Sequence, residues 1–226
     1  MDDVWRKNMP GFKLAIDGPA GSGKSTISSL IAKRMGWTHI DTGAMYRAVT
    51  LLALELKVNL NDEASYRFLE TSNIHYDYDK IFINNRDVTE DIRSEAVTNN
   101  VSLVSSFPYV RKMMVELQQK AADYGNIVMD GRDIGTVVLP HADLKIFLTA
   151  NVEERAKRRL KEHQKKGKSS EITQVIEDIK TRDQKDSTRK ESPLRRAEDA
   201  IIIDTTHLTI DEVVMKIIEL TDKKEN

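Results

Sequence analysis

The chain predicts an α/β fold in which a mainly parallel sheet is flanked by helices, and three observations carry that prediction. Short apolar runs alternate with helical patterns along most of its 226 residues, as they do where helices form the crossovers between parallel strands. The runs are continuous in polarity, which suits strands covered on both faces. A glycine-rich turn joins the first run to the first helical stretch, at the strand end where open α/β sheets bind their ligands.

The elements follow in order. Residues 12–16 (FKLAI) read as the first strand, and 26–32 as the helix after the glycine-rich turn. A second strand at 38–40 leads to a helix over 44–56. Residues 61–107 then break the alternation. This stretch is polar and mixed, with a short hairpin expected from 74–78 and 81–83 turning at Asp79-Lys80. A helix over 108–124 has Pro108 as its first residue and Gly125 as its terminator. Strands at 127–129 and 144–148 come next, then a helix over 152–166 and a charged, hinge-rich connection over 162–170. A helix beginning near Glu171, a strand at 200–203 and a helix over 210–221 complete the chain, the last opened by a Thr209/Glu212 capping box. The expected organisation is a core of 12–60, 108–153 and 171–226, an inserted lobe of 61–107 and a lid of 154–170, with 1–11 as an N-terminal extension of no assigned role.

Composition excludes several classes. With 35 basic against 36 acidic residues, no net field attracts nucleic acid or a membrane, so anion binding must come from local clusters. The absence of cysteine excludes disulfides and thiol–metal sites. No apolar run approaches the length of a membrane span and the charged N-terminal segment has no signal-peptide core, so a cytoplasmic protein is expected.

The glycine-rich turn is Gly18-Pro19-Ala20-Gly21-Ser22-Gly23-Lys24-Ser25, which fits G-x-x-x-x-G-K-[ST] between a strand and a helix. A backbone that wraps a phosphate needs several N–H groups pointing inward, and glycines permit both that approach and positive φ. The following helix sets its free N–H groups and dipole beneath the anion. Lys24 would reach the β and γ phosphates, and the Ser25 hydroxyl would ligate Mg²⁺. The pattern therefore predicts a P-loop NTPase-type sheet that binds a nucleoside triphosphate.

What receives the γ phosphate depends on residues downstream. The chain has no Asn-Lys-x-Asp guanine reader and no Asp-x-x-Gly switch element, which excludes a guanine-nucleotide switch. A kinase for a small phosphorylated acceptor needs arginines converging on two sets of phosphates, and the arginines here favour that reading. Thr42 and Arg47 follow the second strand, where a hydroxyl and a planar fork can meet a ligand; a helix cap and a surface arginine are the competing account. At the end of the third core strand, Asp130 is followed by Gly131, and Arg132 and Asp133 sit between Gly131 and Gly135. Asp130 is placed to bind Mg²⁺ through water, with a structural salt bridge or turn as the alternative. Arg182, Asp186 and Arg189, at i, i+4 and i+7, would share one helical face, and Arg155, Arg158 and Arg159 form a second one-sided set. Each set also fits a solvated ion-pair face.

These motifs resemble those of the bacterial cytidylate kinases. The resemblance rests on residues 16–26 (IDGPAGSGKST), 41–47 (DTGAMYR), 130–138 (DGRDIGTVV) and 182–186 (RDQKD), and extends from Phe12 to the C-terminal helix. It implies phosphoryl transfer from ATP to CMP or dCMP, with Mg²⁺, on a nucleoside monophosphate kinase fold with an insert and a lid. Gly18 to Thr26 would then hold ATP, and closure of the lid is expected to bring Arg155, Arg158 or Arg159 over it. Thr42, Ser102, Arg132, Asp133, Arg182 and Asp186 would line the cytosine and sugar pocket. Arg47, Arg111, Arg132 and Arg189 would surround the acceptor phosphate, with Lys24, Arg132 and Arg189 as the catalytic charges. A monomer acting on small molecules alone is expected. Two other readings remain open at this point: a kinase for UMP, AMP or a metabolite such as shikimate, and a non-catalytic ATP-binding protein.

Overall fold

The computed structural model describes residues 10–77, 80–165, 167 and 169–225. Five parallel strands form its main sheet in the order β2-β6-β1-β7-β8, comprising β1 (Pro10–Asp17), β2 (Thr38–Asp41), β6 (Gly125–Gly131), β7 (Leu144–Thr149) and β8 (Ile201–Asp204). β1 is central: Ile16 is in register with Asp130 on one side and Ile146 on the other. Because side chains alternate along a strand, Leu14 and Ile16 face one layer while Ala15 faces the other. Leu14 and Ile16 pack with Ile27 and Ile31 of α1 (Lys24–Met35) and Val214 of α7 (Ile210–Glu225). Ala15 packs with Met45 and Val49 of α2 (Thr42–Glu55) and Met114 of α4 (Pro108–Ala121). All strands of this sheet being parallel, their C-terminal ends share one edge, where residues 16–26, 41–47 and 130–138 lie.

The local signals act as their chemistry requires. Pro108 opens α4, and Thr209 and Glu212 exchange hydrogen bonds before α7, the Thr209 N–H and the Glu212 N–H each finding the other's side chain. Gly125 does not terminate α4 as expected. That helix ends at Ala121 with Ala122 as its cap, and Gly125, at φ 72°, turns the chain into β6.

Residues 61–107 contain a second, antiparallel sheet of β3 (Ile74–Asp77), β4 (Lys80–Ile83) and β5 (Arg86–Asp87), together with α3 (Glu95–Val104). The hairpin pairs Ile74 with Ile83 and Tyr76 with Ile81; residues 78 and 79, where its turn is expected, lie outside the described residues. β5 was not legible in the sequence because it is only two residues long. This segment shares a core with the main sheet, since Tyr66, Ile74, Ile81 and Val101 pack in one cluster with Met45 and Val49. The segment containing α5 (Val152–Lys165) and α6 (Ile172–Thr188) is different. Its apolar residues Ala156, Val175 and Ile179 form a small cluster of their own. Of the expected extension 1–11, Pro10 and Gly11 belong to β1 and the rest lies outside the described residues.

Candidate active site

Gly18 leaves β1 with its backbone pressed against β7, where a Cβ would run into the Leu148 carbonyl oxygen. Gly23, at φ 92°, then caps α1 without a side-chain bond, and no acidic residue occupies the first turn. The N-terminal N–H groups are thus left for an anion. Lys24 is buried, its Nζ donating to the Pro19 carbonyl at 2.8 Å and lying 3.4 Å from Ser22 Oγ. Burial, reinforced by the Arg132 charge and only partly offset by Asp130 and Asp17, lowers its pKa to about 7. Ser25 and Thr26 are exposed on the same turn of α1.

Ser25 Oγ donates to Asp130 Oδ2 at 2.8 Å, and the other carboxylate oxygen lies 2.6 Å from His39 Nε2. Asp130 is only 2% exposed, and its carbonyl accepts from Thr42 Oγ1 at 2.8 Å, which ties β6 to the start of α2. Burial opposes charge on His39, but the Asp130 carboxylate, with Asp41 beyond it, outweighs burial and raises the pKa. His39 was not among the residues the sequence singled out. Its only signal there is its place on the strand that ends at Asp41. Asp17 was also missed. One of its oxygens accepts the Ile134 N–H and the other the Gly135 N–H, each at 2.8 Å, fixing the π-helical turn Ile134–Val138 that follows Asp133. Burial, resisted by those two N–H groups, pushes the Asp17 carboxyl up to about 6.

Ser25 and Asp130 suit Mg²⁺. They bring a hydroxyl and a carboxylate, both hard oxygen donors, to the N-terminus of α1 beside the phosphate loop. Among the described residues no cluster of three or more His, Cys, Asp or Glu side chains could hold a metal by itself. A site of this kind takes its remaining ligands from water and substrate phosphate, as Mg²⁺ commonly does.

Beside the loop, within electrostatic reach of Lys24, guanidinium groups gather. Arg111, on α4, is buried and pairs with the buried Asp133; Arg189 Nη2 reaches the other Asp133 oxygen at 3.5 Å. Arg111 also lies 5.4 Å above the Tyr46 ring. Arg132 Nε donates to Asp186 Oδ2 at 2.9 Å, while Arg182 Nε stands 4.0 Å from the same oxygen and has no hydrogen-bond partner. Arg47 donates to Thr98 Oγ1 at 3.0 Å and to the Ile92 carbonyl, and Ser102 is half-buried on α3. The i, i+4, i+7 helical face holds only for Arg182 and Asp186. α6 ends at Thr188, and Arg189 reaches Asp133 from an extended cap residue.

Two carboxylates, Asp133 and Asp186, thus face four guanidiniums, those of Arg111, Arg132, Arg182 and Arg189, while Arg47, felt at Arg182, has Asp41 and Arg93 among its own charged neighbours. The imbalance is felt. Burial and then Arg132 bring Arg182 down to about 10, and burial and then Arg111 lower Arg189. Cations pressed together while half desolvated leave room for an anion of charge near two.

The remaining arginines divide. Arg155 is buried, its Nη1 donating to the Ala20 carbonyl at 2.9 Å, so it closes over the phosphate loop. Arg158 is tied to Thr205 beyond β8, at 2.9 Å to Oγ1 and 2.6 Å to the carbonyl. Arg159 bonds Glu162, and its charge reaches Arg47 and Arg182 on the acceptor side.

A phosphate loop and a cluster of paired arginines at the C-terminal edge of one parallel sheet are the features of a kinase whose acceptor is itself a phosphate. The chain belongs to the cytidylate kinase family, whose pattern it matches over residues 14–223. It is 63% identical over 212 residues to a cytidylate kinase of Acholeplasma laidlawii, covering 94% of this chain and 96% of that one. It is 51% identical over 217 residues to a cytidylate kinase of Bacillus licheniformis, covering 93% and 96% respectively. The crystal structure of an uncharacterized protein from Eubacterium ventriosum superposes with a TM-score of 0.53 at 13% identity, over 93% of this chain and 98% of that one, a likeness of fold alone. Among the described residues no helix is long and apolar enough to cross a membrane.

Proposed function

We propose that this chain transfers the γ-phosphoryl group of ATP to CMP or dCMP, with the phosphate loop as donor site and the arginine hollow as acceptor site. The observation that carries this reading is the excess of guanidinium over carboxylate beside the loop. The acceptor phosphate enters between Arg47, Arg111, Arg132 and Arg189, and the cytosine and sugar lie among Thr42, Ser102, Arg132, Asp133, Arg182 and Asp186. Residues 61–107 act as the monophosphate-binding insert. Residues 154–170 act as the lid that brings Arg155, Arg158 and Arg159 to the donor side. A monomer in the cytoplasm meets the needs of two small, soluble substrates.

A phosphate monoester has a second pKa of about 6, so its attacking oxygen is already largely ionised at neutral pH and needs no general base. The obstacle is the mutual repulsion of two polyanions. Lys24 offsets it from the donor side, and Arg132 and Arg189 from the acceptor side, in a cleft where their charges are weakly screened. Mg²⁺ held by Ser25 and Asp130 would supply further charge neutralisation on the donor phosphates. Most of the catalysis is then positioning: the residues hold two phosphates in line and exclude the water that would otherwise accept.

In a coupled assay over CMP, dCMP, UMP, AMP and GMP, the two cytidine nucleotides are expected to exceed AMP in kcat/KM by about 10,000-fold, the order that unmatched buried polar groups impose. Equal activity on AMP overturns the cytidine assignment.

A second expectation concerns pH. The Lys24 pKa is about 7 without nucleotide, and a bound triphosphate must raise it. ATP binding therefore takes up protons above that pH, and the Lys24 contribution to affinity, complete below it, fades as pH rises toward the bound-state value. Calorimetry in two buffers of different ionisation heat should show this uptake, and Lys24→Met should abolish it.

A further inference from the structure

Asp183 stands outside every role described so far. It lies on α6 between Arg182, which faces the acceptor hollow, and the rest of a helix whose apolar contacts are made with α5. One of its carboxylate oxygens accepts the Ala20 N–H at 3.0 Å, and the other pairs with Arg155 Nη1. That same Arg155 nitrogen donates to the Ala20 carbonyl at 2.9 Å, and Arg155 Nε donates to the Ala150 carbonyl at 3.0 Å. Both backbone groups of Ala20, inside the phosphate loop, are thus engaged by one Asp–Arg pair.

The consequence follows from how α6 is attached. Ala156, Val175 and Ile179 hold α5 and α6 to each other, in a cluster separate from the two that cover the main sheet. Polar contacts must therefore set where α6 sits relative to the sheet edge. One of them, Asp186 with Arg132, is part of the acceptor hollow and must change partners when a monophosphate enters. The Asp183 contact belongs to the donor loop and does not depend on the acceptor. Charge-assisted bonds in a partly buried site are among the stronger ones available.

We propose that Asp183 is a positioning residue: it latches the acceptor-binding helix to the phosphate loop, so that Arg182 and Asp186 are held ready for the monophosphate before ATP arrives. The inference rests on the cytidylate kinase reading given above. Without the latch, α6 samples positions in which the acceptor hollow is incomplete, and the apparent affinity for CMP falls by the fraction of time it is complete. A bound triphosphate, by adding its own charge contacts to Arg155 where it sits against the loop, restores the arrangement.

The test is a binding cycle on the intact protein, with CMP titrated calorimetrically with and without the non-hydrolysable β,γ-methylene analogue of ATP. Wild type should bind CMP with a dissociation constant that changes less than about twofold when the analogue is added, whereas Asp183→Ala should bind CMP about tenfold more weakly alone and recover most of that loss with the analogue. Asp183→Asn keeps an oxygen for the Ala20 N–H but offers no charge to Arg155, and should fall between them. Its near-identical shape keeps the test open if the alanine variant folds poorly, as melting curves would show. Equal CMP affinity in wild type and both variants overturns the proposal, and so does a loss of the same size with and without the analogue. If wild type fails to bind CMP but binds another monophosphate, the functional reading fails instead, and the same cycle with that monophosphate decides the role of Asp183.

Discussion

Replacement of Lys24 by methionine is expected to lower kcat by about 1,000-fold, roughly 4 kcal/mol of transition-state stabilisation, while leaving the melting temperature unchanged or higher. On the proposed function, the loss follows from removing the one cation within the loop itself, in a site where it is buried and weakly screened. The stability result follows from the same burial. The folded-state pKa of about 7 lies below the ordinary lysine value of 10.5, so between those values the unfolded chain binds more protons than the folded one. Stability due to this group therefore rises with pH across that window, and the folded protein carries the full penalty of a buried charge below it. Methionine removes the penalty, so the variant should gain most over wild type near pH 6 and least near pH 10. Activity is read by the coupled assay and stability by thermal denaturation at both pH values. A variant that keeps wild-type turnover removes Lys24 from the mechanism.

Asp133→Ala should have the largest effect on the fold itself. Its carboxylate lies between the guanidiniums of Arg111 and Arg189, both well buried, and Asp186 adds a weaker, through-space attraction to Arg189 alone. Deleting one partner of a buried ionic group typically costs about 3–5 kcal/mol, which for a chain of this size lowers the melting temperature by roughly 6–20 °C. The distinguishing feature is rescue. An anion placed between the two arginines stands in for the lost carboxylate, so CMP or inorganic phosphate should stabilise Asp133→Ala more than it stabilises wild type at matched ionic strength. Asp133→Asn, which keeps the shape without the charge, should lie between them. A variant that melts with wild type and ignores phosphate would show that Asp133 does not balance these arginines.

The two expectations differ in how much of their basis the sequence displayed. Lys24 was legible because the strand, glycine-rich turn and helix that place it are consecutive, and each is encoded by local periodicity and glycine conformation. The arginines were legible as residue types in short motifs. Their opposition was not, because Arg111 on α4, Asp133 after β6 and Arg189 beyond α6 meet only when the chain is folded. The helical spacing that seemed to group Arg182, Asp186 and Arg189 was correct for the first two and failed at the third, where α6 had already ended.

By itself the sequence determined the parallel α/β architecture and the phosphate loop, because strands, helices and glycine turns are written in neighbouring positions. Only the tertiary structure decided which charge balances which. His39 with Asp130, Asp17 with the N–H groups of Ile134 and Gly135, Asp133 between two arginines and Asp183 on the phosphate loop all join residues far apart along the chain. The strength of each of these contacts depends on distance and burial, and neither exists until the sheet has brought its strand ends to one edge.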